Sequence, residues 1–280
     1  MSEGNVSRRG LLMAAGVITG GAFGLGRLLG QDGMAQTLEA PRTLRLPWTL
    51  GSYRFDPVAI RQSAYENFYE GECMFAVAAT LVRALQADIG APFTTLPVDM
   101  YRYGGGGIAG WGTVCGTLNG AAAVLNLVGN PLTYQKLIND LFDWYSKQEF
   151  PSTDHDAYAK YKNQPKTVAK SPICHISVTT WVNGARKERP SITALSPERA
   201  DRCAKVAGDV AFHVAKMIND DYDGKYLATY EPSGEYSACV TCHVDAQNAY
   251  NLNVKAQMNC TTCHVDIEKV DWSNHPPRGL

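Results

Sequence analysis

Two pentapeptides near the C-terminus, Cys239-Val240-Thr241-Cys242-His243 and Cys260-Thr261-Thr262-Cys263-His264, constrain this chain more than any other feature. Each is a C-x-x-C-H sequence, the attachment site of a c-type haem. The spacing follows from the chemistry. Two thiols one helical turn apart add across the vinyl groups on one edge of a porphyrin. The histidine beside the second thiol then lies under the iron as its proximal ligand. The pattern C-x2-C, seventeen residues, C-x2-C also suits a four-cysteine zinc site. Zinc would take the four thiolates and leave a histidine after each pair without a purpose. The expectation is two haem c groups per chain, held covalently by Cys239, Cys242, Cys260 and Cys263, with His243 and His264 as proximal iron ligands.

The compartment is written at the other end. Ser7-Arg8-Arg9-Gly10-Leu11-Leu12 opens an apolar, Gly- and Ala-rich stretch reaching about Leu29. This resembles a twin-arginine export signal. A membrane anchor is the alternative, but the stretch is short and only weakly apolar. Gly33-Met34-Ala35 suggests cleavage before Gln36, so residues 1–35 are read as a signal peptide. The mature chain is then periplasmic, with no stable membrane insertion. It would carry 23 basic and 25 acidic residues. That balance, without a basic run, excludes nucleic acid as a partner. Twin-arginine export carries folded proteins, commonly with a cofactor already inserted. Haem attached after export does not require that route, which hints at a second cofactor.

Between these ends the periodicity is helical and strand signal is weak, so the fold class expected is mainly α: a helical domain over residues 36–219 and a loop-rich dihaem segment over 220–280. Residues 36–55 read as an extended arm. A first helix is expected from about Pro57 to Asp88, stopped by Gly90 and Pro92. A second, rich in Gly and Ala, is expected from Gly110 to Val128, where small residues allow close approach of a neighbouring helix or a flat ring. A third spans about 131–148. Residues 150–170 read as a polar surface loop, and 171–183 as a short packed segment. Ser196-Pro197 starts a fourth helix reaching about Asn219, with an inner stripe of Cys203, Val206, Val210, His213 and Met217. The run Gly104-Gly105-Gly106-Gly107 lacks the Lys-Ser/Thr ending of a phosphate loop.

Four histidines remain for the distal side of two haems. Methionines are scarce near the motifs, so bis-histidine ligation is preferred. It leaves a closed, low-spin iron suited to electron transfer rather than to substrate binding. His175, beside a cysteine in an apolar segment, and His275, in the proline-stiffened tail, are the expected distal ligands. His213 stands in reserve, with a hydrogen-bonded core role as its alternative. His155, in a charged loop, is expected to be solvated. Four cysteines also remain: Cys73, Cys115, Cys174 and Cys203. Outside the cytoplasm they could form two disulfides, stay as buried thiols, or ligate one iron–sulfur cluster, 2Fe–2S or another type.

The single Cys73 of Gly71-Glu72-Cys73, the segment Gly110-Trp111-Gly112-Thr113-Val114-Cys115-Gly116-Thr117-Leu118-Asn119-Gly120, and the later single Cys174 and Cys203 resemble the C-GCAxxG-C-C redox-protein family. The family usually has Gly before its second cysteine, where this chain has Val114. One branch, the split-Soret cytochromes c of sulfate-reducing bacteria, adds two C-terminal C-x-x-C-H motifs. The likeness covers about residues 55–280. It implies a homodimer, two closely stacked bis-histidine haems in each subunit, a distal ligand that can come from the partner, and an iron–sulfur cluster on the four dispersed cysteines.

The function expected is that of an electron-transfer protein serving redox partner proteins, and not an enzyme. No nucleophile or acid–base pair can be argued from the sequence. Two rival readings are a reductase with an open iron and an exported zinc-binding structural module. A high-spin haem that binds CO would favour the first, and a colourless purified protein the second.

Overall fold

A computed structural model describes residues 45–234, 237 and 257–262. The targeting segment, Cys239, Cys242, His243, Cys263, His264 and His275 lie outside the described residues. The chain divides into units Met1–Arg42 and Thr43–Leu280, and every described residue belongs to the second.

The first helix, α1 (Pro57–Asp88), starts where Asp56 accepts hydrogen bonds from the backbone N–H groups of Val58 and Ala59, at 2.9 and 3.3 Å, with proline at the first helical position. It is broken once, at Gly71 (φ −152°, ψ 19°) and Glu72 (φ 64°, ψ −161°). Glu72 holds a left-handed φ that non-glycine residues rarely adopt. The break falls immediately before Cys73. Arg102 braces this region, donating to the Glu70 carbonyl at 2.6 Å and to its carboxylate at 3.0 Å.

Helices α2 (Gly116–Val128), α3 (Tyr134–Lys147), α4 (Cys174–Ala185) and α5 (Pro197–Tyr222) complete the helical frame. A two-residue antiparallel pair joins β1 (Glu149–Phe150) to β2 (Thr167–Val168). The mainly α architecture expected from the sequence is what forms. The helix expected from Gly110 starts six residues later, because Gly110 and Gly112 adopt left-handed φ of 79° and 68° that a helix cannot continue. Ser196 stands at the start of α5 as expected, but its hydroxyl accepts from Thr193 N–H at 2.7 Å instead of capping the helix.

The core lies between α1, α2 and α5, with Phe75, Leu81, Leu118, Leu125, Val210 and Val214 fully buried. α2 crosses α1 closely because it presents glycine there. A methyl group at Gly120 would stand 2.5 Å from the Met74 carbonyl oxygen and 3.2 Å from the Ala78 nitrogen; one at Gly116 would stand 2.8 Å from Cys73 Cβ. The expected close approach of a neighbour to this small-residue helix is thus made by α1.

Two regions depart from the sequence reading. The expected arm enters the core from residue 48 onward. Trp48, Leu50 and Phe55 are buried, and Trp48 N–H donates to Leu127 O at 2.8 Å. The 150–170 loop is not merely superficial, and His155 is not solvated. It is 0 % exposed, bonded through Nε2 to Asp209 Oδ1 and through Nδ1 to Tyr158 Oη, both at 2.9 Å. Asp209 also accepts from Ser152 N–H at 2.9 Å and from its hydroxyl at 2.6 Å, so one buried carboxylate on α5 pins the loop inward.

A second buried carboxylate does the same for the start of the tail. Asp140 on α3 accepts from the Tyr226 hydroxyl at 2.5 Å and from the backbone N–H groups of Thr229, at 3.1 Å, and Tyr230, at 2.5 Å. Two outcomes follow from this packing. Gly120→Ala forces a methyl group into the backbone of α1 and should lower stability by about 1–3 kcal/mol, read by denaturant unfolding. Asp140→Ala removes charged acceptors of the kind contributing about 1.5–3 kcal/mol; limited proteolysis should then cut within residues 226–234 sooner than in the parent chain.

Candidate metal centre

The four dispersed cysteines come together. Cys73, Cys115, Cys174 and Cys203 line one chamber, with Thr117, Tyr145, Ser177 and Arg202 in its wall. All four are buried and none is in a disulfide. The free space between them is about 10 Å³. Among the described residues, no group of three or more His, Cys, Asp or Glu side chains is set to grip a single metal ion.

Each thiol arrives by a different local device. Cys73 follows the break in α1. Cys115 is the residue before α2, and Cys174 is the first residue of α4. These two are held side by side by a short antiparallel bridge between Val114 and Ile173. In it Cys115 N–H donates to Pro172 O at 2.8 Å, and Cys174 N–H to Thr113 O at 2.7 Å. Both therefore sit at helix N-termini. Cys203 lies in the second turn of α5. Gly116 lets α2 approach α1 and so brings Cys73 near Cys115.

The thiols are not electrostatically alike. A hydrogen bond from the Cys73 thiol, helped by the Arg202 and Arg199 guanidinium groups against the effect of burial, pulls Cys203 down to about 5. The same bond, with burial and the neighbouring thiols, pushes Cys73 well above its ordinary value. Burial, then Cys115 and Cys203, pushes Cys174 up to about 12. Cys203 thus ionises before Cys73 and Cys174. A buried all-sulfur donor set beside a permanent cation suits a soft, thiolate-held metal group.

A second, larger site lies on the other side of α4. It is a cleft of about 1360 Å³, lined by Val114, Phe142, Lys170, His175 and Thr179 from the helical frame and by Tyr230, Met258 and Thr262 from the tail. The helical repeat divides α4 between the two sites. Cys174, Ser177 and Val178 face the chamber, while His175, Ile176, Thr179 and Thr180 face the cleft. His175 is exposed at the cleft. The first three residues of the second C-x-x-C-H stretch, 260–262, lie nearby, with the Thr262 hydroxyl donating to Lys170 O at 3.1 Å. His213, held in reserve, is occupied otherwise. Its ring stacks on Trp144 at 3.9 Å and 4°, and burial, with Lys216 adding to it, holds it neutral down to about 4. Arg202 and Ser177 were not singled out from sequence; their spacing from cysteines on α5 and α4 was the available signal.

Comparison with known proteins agrees with this arrangement. The family described as "Putative redox-active protein (C_GCAxxG_C_C)" matches residues 75–217. The chain is 33% identical over 260 residues to the split-Soret cytochrome c of Desulfovibrio desulfuricans, a match covering 88% of this chain and 90% of that protein. A solved structure, described as a novel iron centre in the split-Soret cytochrome c from Desulfovibrio desulfuricans ATCC 27774, superposes with a TM-score of 0.69 at 32% identity. That match covers 79% of this chain and 90% of the solved one. With the spacing, the fold and the convergence of Cys73, Cys115, Cys174 and Cys203 in agreement, the chain belongs to the C-GCAxxG-C-C redox-protein family, alongside the split-Soret cytochrome c.

Proposed function

We propose that this chain is an exported electron-transfer cytochrome carrying two haem c groups and one iron–sulfur centre. The observation that carries the reading is the division of α4, whose adjacent residues Cys174 and His175 face the thiol chamber and the tail-lined cleft respectively. The chamber's donor set fits an iron–sulfur centre. Such a centre shares its thiolates among more than one iron, so the lack of a single-ion grip does not oppose it. Cys73, Cys115, Cys174 and Cys203 would hold that centre, and it would supply one-electron chemistry.

The cleft suits a haem carried on the tail. Cys239, Cys242, Cys260 and Cys263 would bind the two porphyrins, with His243 and His264 below the irons. His175 is the preferred distal ligand on the cleft side and His275 the other. The stacking of His213 on Trp144 argues for a packing role there. Residues 36–219 would then form the frame that holds the centre, and residues 220–280 the dihaem segment. Closed irons of this kind exchange electrons without binding a substrate, which argues for a carrier serving redox partner proteins instead of an enzyme. Residues 1–35 support twin-arginine export to the periplasm, and the likeness to the split-Soret cytochrome c supports a homodimer, with no nucleic acid partner.

The test is spectroscopy on protein purified from a host able to attach haem c. The mature chain should show the added mass of two haems, low-spin haem signals inert to CO, and a separate iron–sulfur signal on reduction. His175→Gly should turn one of the two haems high-spin and CO-binding while leaving the other unchanged. Serine at any one of the four chamber cysteines should abolish or alter the iron–sulfur signal and spare both haems. A mature chain without the mass of two haems would sink the reading.

A further inference from the structure

The buried run of α5 contains four charged side chains, Asp201, Arg202, Lys205 and Asp209. Three have evident partners. Asp201 accepts from the Tyr65 and Tyr69 hydroxyls at 2.6 and 2.9 Å. Lys205 pairs with Asp156 at 2.7 Å, and Asp209 holds His155 and Ser152. Arg202 does not fit this pattern. It is 1 % exposed, and among the described residues no carboxylate pairs with it. Its Nη2 donates to Ser177 Oγ at 2.8 Å, its Nη1 stands 3.9 Å from Cys203 Sγ, and its buried Nε has no partner.

A guanidinium does not release its proton inside a protein, and burying an unpaired charge is costly. The missing negative charge must therefore come from groups beside it. The nearest of them is Cys203 Sγ, 3.9 Å away on the wall of the thiol chamber, where Cys73, Cys115 and Cys174 also stand. Ser177 ties the arrangement together, taking a hydrogen bond from Arg202 and another from the Tyr145 hydroxyl, the latter at 2.9 Å.

We propose that Arg202 is the built-in countercharge of the group held by Cys73, Cys115, Cys174 and Cys203, and that it raises the reduction potential of that group. The proposal rests on the iron–sulfur reading above. Thiolate ligation gives such a centre net negative charge, and each one-electron reduction adds one more. A fixed cation in a low-dielectric wall stabilises the more negative, reduced form. Arg202 keeps its proton throughout, so no proton need travel with the electron. Arg202 is a positioning residue in this scheme, because it acts through the field and not as a ligand.

The experiment is a potentiometric titration of the haem-loaded protein with dithionite as the electron donor, following the iron–sulfur and haem signals separately. Arg202→Met should make the iron–sulfur centre harder to reduce by at least about tenfold, a negative shift of ~59 mV for one electron. Arg202→Lys, which keeps the charge, should restore most of the potential. An intact centre with an unchanged potential in Arg202→Met would overturn the proposal and leave the iron–sulfur reading standing. Should Arg202→Met fail to assemble the centre, Arg202→Lys decides. A centre of near-parent potential supports the countercharge, and loss of the centre there too overturns it. A parent protein with no iron–sulfur signal removes the underlying reading, and this proposal with it.

Discussion

The close crossing of α1 and α2 is the constraint on which the rest of the structure depends. It exists because Gly116 and Gly120 present no side chain to the backbone around Cys73, Met74 and Ala78. Were these helices held at an ordinary separation, Cys73 and Cys115 would stand apart and the chamber would lose two of its four thiols. Burial of apolar side chains supplies the driving force for the bundle and is non-directional. The glycines convert that force into a particular distance. The short bridge between Val114 and Ile173 does the equivalent for Cys115 and Cys174, by backbone hydrogen bonds instead of packing.

Much of this was legible before any coordinates. The Pro57–Asp88 helix announced itself through its helical periodicity and its stop at Gly90 and Pro92. The small residues of α2 pointed to close approach, and Cys203 fell on the inner stripe of α5 with Val206, Val210 and Met217. The resemblance carried by the cysteine order implied one shared site. What sequence spacing could not settle was whether those thiols would be bonded in pairs or left free round a common space. That depends on helices far apart in the chain, and the structure leaves them free.

The misreadings of His155 and of the 45–55 stretch share one cause, which is that a local window says nothing about a distant partner. His155 sits among Ser, Thr, Asp and Lys, and looks solvated. Its burial is decided 54 residues later by Asp209, and by Gly208, against which a side chain would collide with the imidazole. The 45–55 stretch lacks periodicity because it forms no regular element; its large side chains pack singly into gaps of the helical core. Buried polar groups of this kind are retained only where every partner is in place, so neither half is recognisable alone.

The division of α4 at its first two residues has a mechanical corollary. Cys174 and His175 share a peptide unit, so the two pockets hang from one pivot. Inserting a residue ahead of it would turn the helix by about a hundred degrees and carry the sulfur towards the cleft, and deleting one would carry the imidazole towards the chamber, so either change costs both pockets their group. Neither pocket can drift in register without the other.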